Sequence, residues 1–165
     1  MRVLGIDPGT RTTGYGIVDA VNSRLVPVAY GVINNSDREV LSRCFLNIYR
    51  GLREVIAHHQ PEVAAVENIF YCKNVNSAIK LGEARGVAIL AAAGDGLDVF
   101  EYMPRKVKQA VVGNGAAEKR QVQLMVKALL GLKEMPAPED ASDALAVAIC
   151  HAHALPGIAA GAHKV

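Results

Sequence analysis

With 165 residues, 51% of them hydrophobic, the chain has the length and apolar content of one domain with a sizeable core. It shows neither the apolar run of a signal peptide nor the roughly 20 uninterrupted apolar residues of a membrane span, so we expect a soluble cytoplasmic protein. Its formal net charge of +2 excludes no class of partner, whereas three widely spaced cysteines argue against a disulfide framework or a zinc site.

The first part of the chain predicts three strands, a helix and a fourth strand. The first strand is ended by the turn residues Asp-Pro-Gly-Thr, and two β-rich runs after it suit an antiparallel meander. Hydrophobic residues at alternating spacings of four and three then predict an amphipathic helix, which begins after Ser36 or Asp37 and is broken by Pro61. The predicted ranges are 1–6, 13–18, 25–33, 39–57 and 63–66.

The second part predicts mainly helices. A helix over 76–93 is followed by a short strand over 99–102, and Pro104 occupies the first position of the next helix, where proline is tolerated. The remaining predicted helices are 107–112, 118–130 and 139–153. We therefore expect residues 1–156 to form one domain of α/β class, a mixed central sheet flanked by helices on both faces, and residues 157–165 to form a flexible tail.

Basic residues concentrate in the middle of the chain. Residues 73–133 contain ten Lys and Arg against five Asp and Glu, whereas residues 134–165 contain one against four. A basic band of this kind favours contacts with phosphate, although a solvated helix face explains it equally well.

Four carboxylates occupy positions that suit a shared site. Asp7 directly follows the first strand and Glu67 the fourth, and the carboxyl ends of strands border the crevice in which α/β sheets bind ligands. Asp140 and Asp143 are three residues apart at the start of the last helix, so they share one helical face. Taken singly, Asp7 also fits a plain turn, and the two helical acids also fit a favourable interaction with the helix dipole.

Clustered carboxylates raise one another's pKa, and divalent cations relieve their repulsion. Mg²⁺ prefers hard oxygen ligands. Two such ions roughly 3.5–4 Å apart can activate water and stabilise the leaving oxygen in phosphodiester hydrolysis, with no nucleophilic side chain required. The four acids therefore indicate a metal-dependent nuclease.

The chain resembles the bacterial RuvC crossover-junction endonucleases along nearly its whole length outside the tail. The matching stretches are Leu-Gly-Ile-Asp-Pro-Gly-Thr at 4–10, Val-Glu-Asn-Ile-Phe at 66–70, residues 73–82, Glu-Ala-Arg-Gly at 83–86, residues 107–113, and Asp-Ala-Ser-Asp-Ala-Leu-Ala at 140–146. Asp-Pro-Gly-Thr alone is a weak signal, but the joint pattern is highly specific.

The resemblance implies an RNase H-like fold and a homodimer that resolves four-way (Holliday) junctions by symmetric nicks, leaving 5′ phosphates and 3′ hydroxyls. It implies two Mg²⁺ per active site, with Mn²⁺ as a substitute, held by Asp7, Glu67, Asp140 and Asp143. Some relatives carry His at the position of Asp140. The expected partners are junction DNA and the RuvA–RuvB branch-migration complex, in the bacterial cytoplasm during recombination and DNA repair.

Five further residues are expected to contact DNA because of the resemblance. Phe70 matches a ring that stacks on a base near the crossover, with core packing as the alternative. Lys108 and Lys119 match basic positions near the DNA backbone. A solvated surface role stays open for Lys108 and Lys119, and Arg85 and Lys80 are looser candidates for phosphate contacts.

Several alternatives stay open from the residues alone. The strand followed by Asp, Gly and Thr also opens actin-like and sugar-kinase ATPases, although those proteins bind nucleotide between two such domains. An RNase H-like nuclease of ribosomal RNA precursors and a non-catalytic junction-binding module are further candidates. His151 or His153 in the last helix is expected to be packed or surface-exposed, with an approach to the metal crevice as the alternative.

Overall fold

The computed structural model describes residues 1–22, 24–69, 74–154 and 163–165. Its strands are β1 (Arg2–Asp7), β2 (Thr12–Val21), β3 (Arg24–Asn34), β4 (Val63–Glu67), β5 (Asp98–Tyr102) and β6 (His163–Lys164). Its helices are α1 (Leu41–His59), α2 (Val75–Gly94), α3 (Pro104–Val112), α4 (Lys119–Leu129) and α5 (Glu139–Ala154). No described helix combines the length and the apolar character needed to cross a bilayer.

Within the described residues the strands form one mixed sheet in the order β3-β2-β1-β4-β5-β6. The strands β1, β4 and β5 are parallel neighbours, whereas β2 and β3 extend the sheet as an antiparallel meander from β1. This arrangement confirms the predicted α/β class. It also brings the carboxyl ends of β1 and β4 to the same edge of the sheet.

Alternation along the strands divides the core into two layers. Leu4 and Ile6 of β1 pack in the layer that contains α1 and α2, whose buried residues include Ile48 and Ala88. Val3, the alternate residue of β1, packs in the other layer with α3, α4 and α5. Because side chains along a strand point to opposite faces in turn, Asp7 at the end of β1 faces the α5 layer.

Helix α5 lies directly against the sheet because glycines face it. Gly5 and Gly16 are opposite each other in the β1–β2 register, and a Cβ added to Gly5 would lie 2.0 Å from the carbonyl oxygen of Ala144. A Cβ added to Gly14 would lie 2.0 Å from the carbonyl oxygen of Asp140. Since Gly14 pairs with Asp7, the first turn of α5 is held beside the end of β1.

Two details differ from the sequence-based expectations. The first helix begins at Leu41 after Val40, which offers no side-chain cap, and the Ser36 hydroxyl instead accepts a hydrogen bond from the Arg38 N–H in the preceding turn. The tail was expected to be flexible over residues 157–165, but its last residues pair with β5, and the Val165 N–H donates to the Val99 carbonyl. This pairing satisfies backbone groups that an edge strand would otherwise leave exposed.

We expect Gly14→Ala to destabilise the fold by about 1–3 kcal/mol, because the new methyl group would overlap the backbone of α5. Urea unfolding measures the change. The control is Gly94→Ala at the end of α2, where an added Cβ meets nothing within 4 Å. Alanine there should be neutral or slightly stabilising, because it favours helix more than glycine does. Equal stability of Gly14→Ala and the wild type would contradict the close packing of α5.

Candidate active site

The first two carboxylates lie side by side at the edge of the sheet. The parallel register pairs Ile6 with Val66, so Asp7 and Glu67 are the next residues on adjacent strands. Neighbouring strands are roughly 4.8 Å apart, which keeps these side chains in reach of each other. Ala65 packs in the α5 layer, so alternation turns Glu67 toward α5 as it does Asp7.

Helix α5 supplies the other two carboxylates. Asp140 lies in the first turn, whose backbone contacts Gly14 beside Asp7. Asp143, one turn later, lines a cavity together with Glu67. The structure therefore brings acids from β1, β4 and α5 into one place, although they are as many as 136 positions apart in the chain, from Asp7 to Asp143.

The electrostatics of the site reflect this convergence. Burial raises the pKa of Asp7 to about 8, with further contributions from the charges of Glu67, Asp143 and Asp140. Burial and the charge of Asp143 raise the pKa of Glu67 to about 7, against the opposing effects of a hydrogen bond with Asp7 and of nearby lysines. Burial also raises the pKa of Asp143, although Lys119 partly offsets it. The acids therefore resist simultaneous ionisation.

Lys119 is the cation closest to these acids among the described ion pairs. Its Nζ lies 2.8 Å from Oδ2 of Asp143 and 3.1 Å from Oε2 of Glu139. Burial lowers the pKa of Lys119, but its hydrogen bonds to the two carboxylates outweigh this effect and leave that pKa raised. Glu139 was not predicted as a partner of Lys119, because a contact between α4 and α5 leaves no local signal in the sequence.

A cavity of about 230 Å³ opens beside the carboxylates. Four of its lining residues are charged and four are apolar. The lining residues are Glu67, Asp143, Lys108, Lys119, Pro104, Val107, Val122 and Ala146. The Lys108 Nζ donates a hydrogen bond to the carbonyl of Ala117 at 2.8 Å, which holds this lysine across the start of α4. Both lysines that were expected near the DNA backbone thus border the site.

The other expected DNA contacts fare differently. Lys80 is exposed on α2. Arg85 is only 17% exposed and forms an ion pair with Glu101 of β5, on the α1–α2 side of the sheet. The charge of Arg85 is thus matched by a carboxylate on the sheet, and its phosphate contact stays a prediction. Phe70 lies outside the described residues, and its stacking role stays a prediction.

The two histidines of α5 have structural surroundings. His151 is buried, with Nδ1 2.8 Å from the hydroxyl of Tyr102 and its ring 4.9 Å from that of Phe100. His153 is exposed, and its Nδ1 lies 3.2 Å from the carbonyl oxygen of Ala110. These contacts favour the packed and surface roles over an approach to the carboxylates.

The donor set fits hard divalent cations. All of its ligand oxygens belong to carboxylates, which are partly desolvated and repel one another. A bound cation compensates for both effects. In the part of the chain that the structure describes, no three acidic, histidine or cysteine side chains already stand in a metal-holding arrangement. Oδ2 of Asp143 lies 2.8 Å from Nζ of Lys119, so this oxygen must leave the ammonium group before it can bind a metal.

Comparisons with known proteins agree with this geometry. The family model for crossover junction endodeoxyribonuclease RuvC matches residues 3–151. The protein of that name from Citrifermentans bemidjiense is 57% identical over 153 residues, which cover 93% of each chain. Its counterpart from Caldanaerobacter subterraneus subsp. tengcongensis is 52% identical over 153 residues, again 93% of each chain.

Solved structures show the same fold. Thermus thermophilus RuvC aligns with a TM-score of 0.88 and 36% identity over 99% of this chain and 100% of that one. The same protein in complex with a Holliday junction substrate aligns with a TM-score of 0.92, again at 36% identity, over 99% of each chain. These matches confirm the expected RNase H-like fold, and with the match of the family model they show that the chain belongs to the RuvC family of crossover junction endodeoxyribonucleases.

Proposed function

We propose that the chain is a structure-selective endonuclease that resolves Holliday junctions by paired, symmetric nicks in homologous recombination and DNA repair. The observation that carries the proposal is the convergence of four carboxylates from β1, β4 and α5 beside two lysines. A relative in the same family, from Thermus thermophilus, has been solved with a Holliday junction substrate. We infer products with 5′ phosphates and 3′ hydroxyls, because hydrolysis that breaks the bond between phosphorus and the 3′ oxygen leaves these ends.

Membership of this nuclease family implies a dependence on divalent metal. We propose two Mg²⁺, with Mn²⁺ as a substitute, held by Asp7, Glu67, Asp140 and Asp143. Support comes from the chemistry of the donors, since all four offer hard oxygens and burial disfavours their ionisation without a cation. When bound, such ions supply the Lewis acidity that activates water and stabilises the leaving oxygen.

The protein's own residues then have separate tasks. Asp7 and Glu67 are fixed to adjacent strands, so they hold their place while α5 brings Asp140 and Asp143 over the sheet edge. For Oδ2 of Asp143 to bind metal, Lys119 must give up its 2.8 Å contact with that oxygen. Glu139 offers Lys119 a second partner at 3.1 Å, so the ammonium group can stay beside the cavity and face a phosphate.

We propose that Lys108 and Lys119 contact the DNA backbone at the cavity and that exposed Lys80 contacts it farther along α2. Lysines at these places neutralise phosphates without reading base sequence, so junction binding should weaken as salt increases. The stacking role of Phe70, the RuvA–RuvB partner and the setting in the bacterial cytoplasm are proposed from family resemblance alone.

We also propose a homodimer, supported by an exposed apolar stripe on α2. Val75, Ile79 and Leu90 are 74%, 55% and 61% exposed, and their spacing places them on one face of the helix. Gly82 and Gly86 lie on the same face, where an added Cβ would meet no close neighbour. Exposed aliphatic residues that share one face of a helix are typical of an interface. The two glycines permit close approach of a second copy.

Asp7→Asn should cut intact junctions at least roughly 10²-fold more slowly than the wild type, since one lost electrostatic stabiliser costs about that much. Binding of the junction should persist, because the substitution leaves the basic residues in place. Gel assays with a synthetic four-way junction and Mg²⁺ measure both properties. Asp37→Asn, at a side chain 97% exposed, is the matched control and should cut normally. Unchanged cutting by Asp7→Asn would contradict the assignment.

Metal-free protein should lose stability as pH rises. The folded state raises the pKa of Asp7 from 3.8 to about 8 and that of Glu67 from 4.5 to about 7. The folded chain therefore keeps protons that the unfolded chain has released, and this stabilisation is complete below about pH 4 and lost as pH rises through about 8.

Thermal unfolding in EDTA across this pH range measures the effect. Mg²⁺ should raise the melting temperature more at the alkaline end than at the acid end, and Asp7→Asn should flatten the metal-free pH dependence. A melting temperature that rises with pH in EDTA would show that these acids do not share one buried site.

Ile79→Glu should convert the dimer to a monomer, because it places a charge in the middle of the apolar stripe of α2. Sedimentation equilibrium measures the mass, and Ala57→Glu on the exposed face of α1 is the control that should stay dimeric. A wild-type chain that sediments as a monomer at every concentration, or a dimer unaffected by Ile79→Glu, would reject this interface.

A further inference from the structure

The turn that follows Asp7 is closed by a buried threonine. Thr13 is 0% exposed, and its Oγ1 donates a hydrogen bond to the carbonyl oxygen of Gly9 at 2.7 Å. Oγ1 of Thr13 also accepts a hydrogen bond from the Gly9 N–H at 3.3 Å. One hydroxyl therefore satisfies both backbone polar groups of a residue that lies two positions after Asp7.

The surroundings leave this turn little freedom. A Cβ on Gly9 would lie 2.2 Å from the carbonyl oxygen of Thr12, so the chain passes close to itself. Farther from Asp7, the Asn35 side chain donates to the Thr10 carbonyl at 2.9 Å, and the Asn35 N–H donates to the Arg11 carbonyl at 2.8 Å. Thr13 thus holds the end of the turn nearest Asp7, and Asn35 holds the other end.

Thr13 acts on Asp7 only through the backbone. Gly14, the next residue of β2, faces α5 and pairs with Asp7. Since strand residues alternate, the Thr13 side chain points to the opposite face of the sheet, away from the four carboxylates. Its hydroxyl therefore contacts neither the acids nor any group bound by them.

A fixed backbone matters at this position because the Asp7 carboxylate is repelled by its neighbours. Glu67, Asp143 and Asp140 all disfavour its charge, so a loose turn would let the side chain retreat from them toward water. We propose that Thr13 is a positioning residue whose hydroxyl locks the turn after Asp7 and so holds the Asp7 carboxylate in place to bind metal. This inference rests on the metal site of the proposed function.

Two substitutions separate positioning from packing. Thr13→Val keeps the shape of the side chain but removes the hydroxyl, leaving two polar groups of Gly9 without this partner. Thr13→Ser keeps the hydroxyl but removes a buried methyl group. If Thr13 only fills space, serine is the more damaging change. If its hydroxyl positions Asp7, valine is the more damaging change for metal binding, whatever either substitution does to stability.

The readout is binding of Mn²⁺ alone to the intact full-length protein, followed by electron paramagnetic resonance, with urea unfolding measured in parallel. Loss of a group that orients a metal ligand typically weakens affinity by roughly 10–100-fold, and we expect Thr13→Val to weaken Mn²⁺ binding by that factor. Thr13→Ser should bind Mn²⁺ with wild-type affinity. The Mg²⁺ concentration for half-maximal junction cutting should shift in the same order.

Wild-type Mn²⁺ affinity in Thr13→Val would overturn the proposal. If Thr13→Val does not fold, Thr13→Ser still decides, because weakened Mn²⁺ binding by a folded serine variant would also overturn it and wild-type binding would support it. Failure of the proposed function is distinguishable. The wild-type protein could bind Mn²⁺, and Thr13→Val could weaken that binding, while neither protein cuts a junction. This result would support the positioning role of Thr13 and contradict the nuclease assignment.

Discussion

Four carboxylates, Asp7, Glu67, Asp140 and Asp143, share one partly desolvated edge of the sheet, where burial and mutual repulsion raise the pKa of Asp7 to about 8. Ionised acids in such surroundings destabilise a fold unless a cation or a hydrogen bond compensates. The chain therefore needs contacts elsewhere that keep the acids together. Lys119 offers one compensation, since it bridges Asp143 and Glu139, but the main restraint is the backbone on which the acids are mounted.

That restraint comes from two directions. The parallel pairing of β1 and β4 fixes Asp7 beside Glu67, and the packing of α5 on Gly5 and Gly14 fixes the other acids above them. Alanines and other small residues make α5 almost wholly buried from Ala141 to Ala152, with only Asp143 partly exposed in that span. The electrostatic repulsion within the site is thus opposed by close contact between α5 and the sheet.

Much of the fold was predictable because its signals are local. Strand alternation, the stripe of α1 and Pro104 at the start of α3 each depend on neighbouring residues, and the structure has the predicted elements within a few positions. Asp7 and Glu67 were recognisable for the same reason, since each directly follows an apolar run. The contacts that the sequence did not reveal are long-range ones, in which residues far apart in the chain determine a side chain's role. The ion pairs of Arg85 with Glu101 of β5 and of Lys119 with Glu139 of α5 are examples. The pairing of the last residues with β5 belongs to the same class.

The close packing of α5 on the glycines of β1 and β2 also limits which substitutions α5 can accept. Asp140 and Asp143 belong to the same helix, α5, whose backbone contacts β1 at Ala144 and Ala148. A bulkier residue at either alanine would shift or tilt α5 and so move both acids together relative to Asp7 and Glu67. Core positions remote from the carboxylates thereby help to set the distances among the four acids. Substitutions along this helix are constrained by the arrangement of these acids as well as by folding itself.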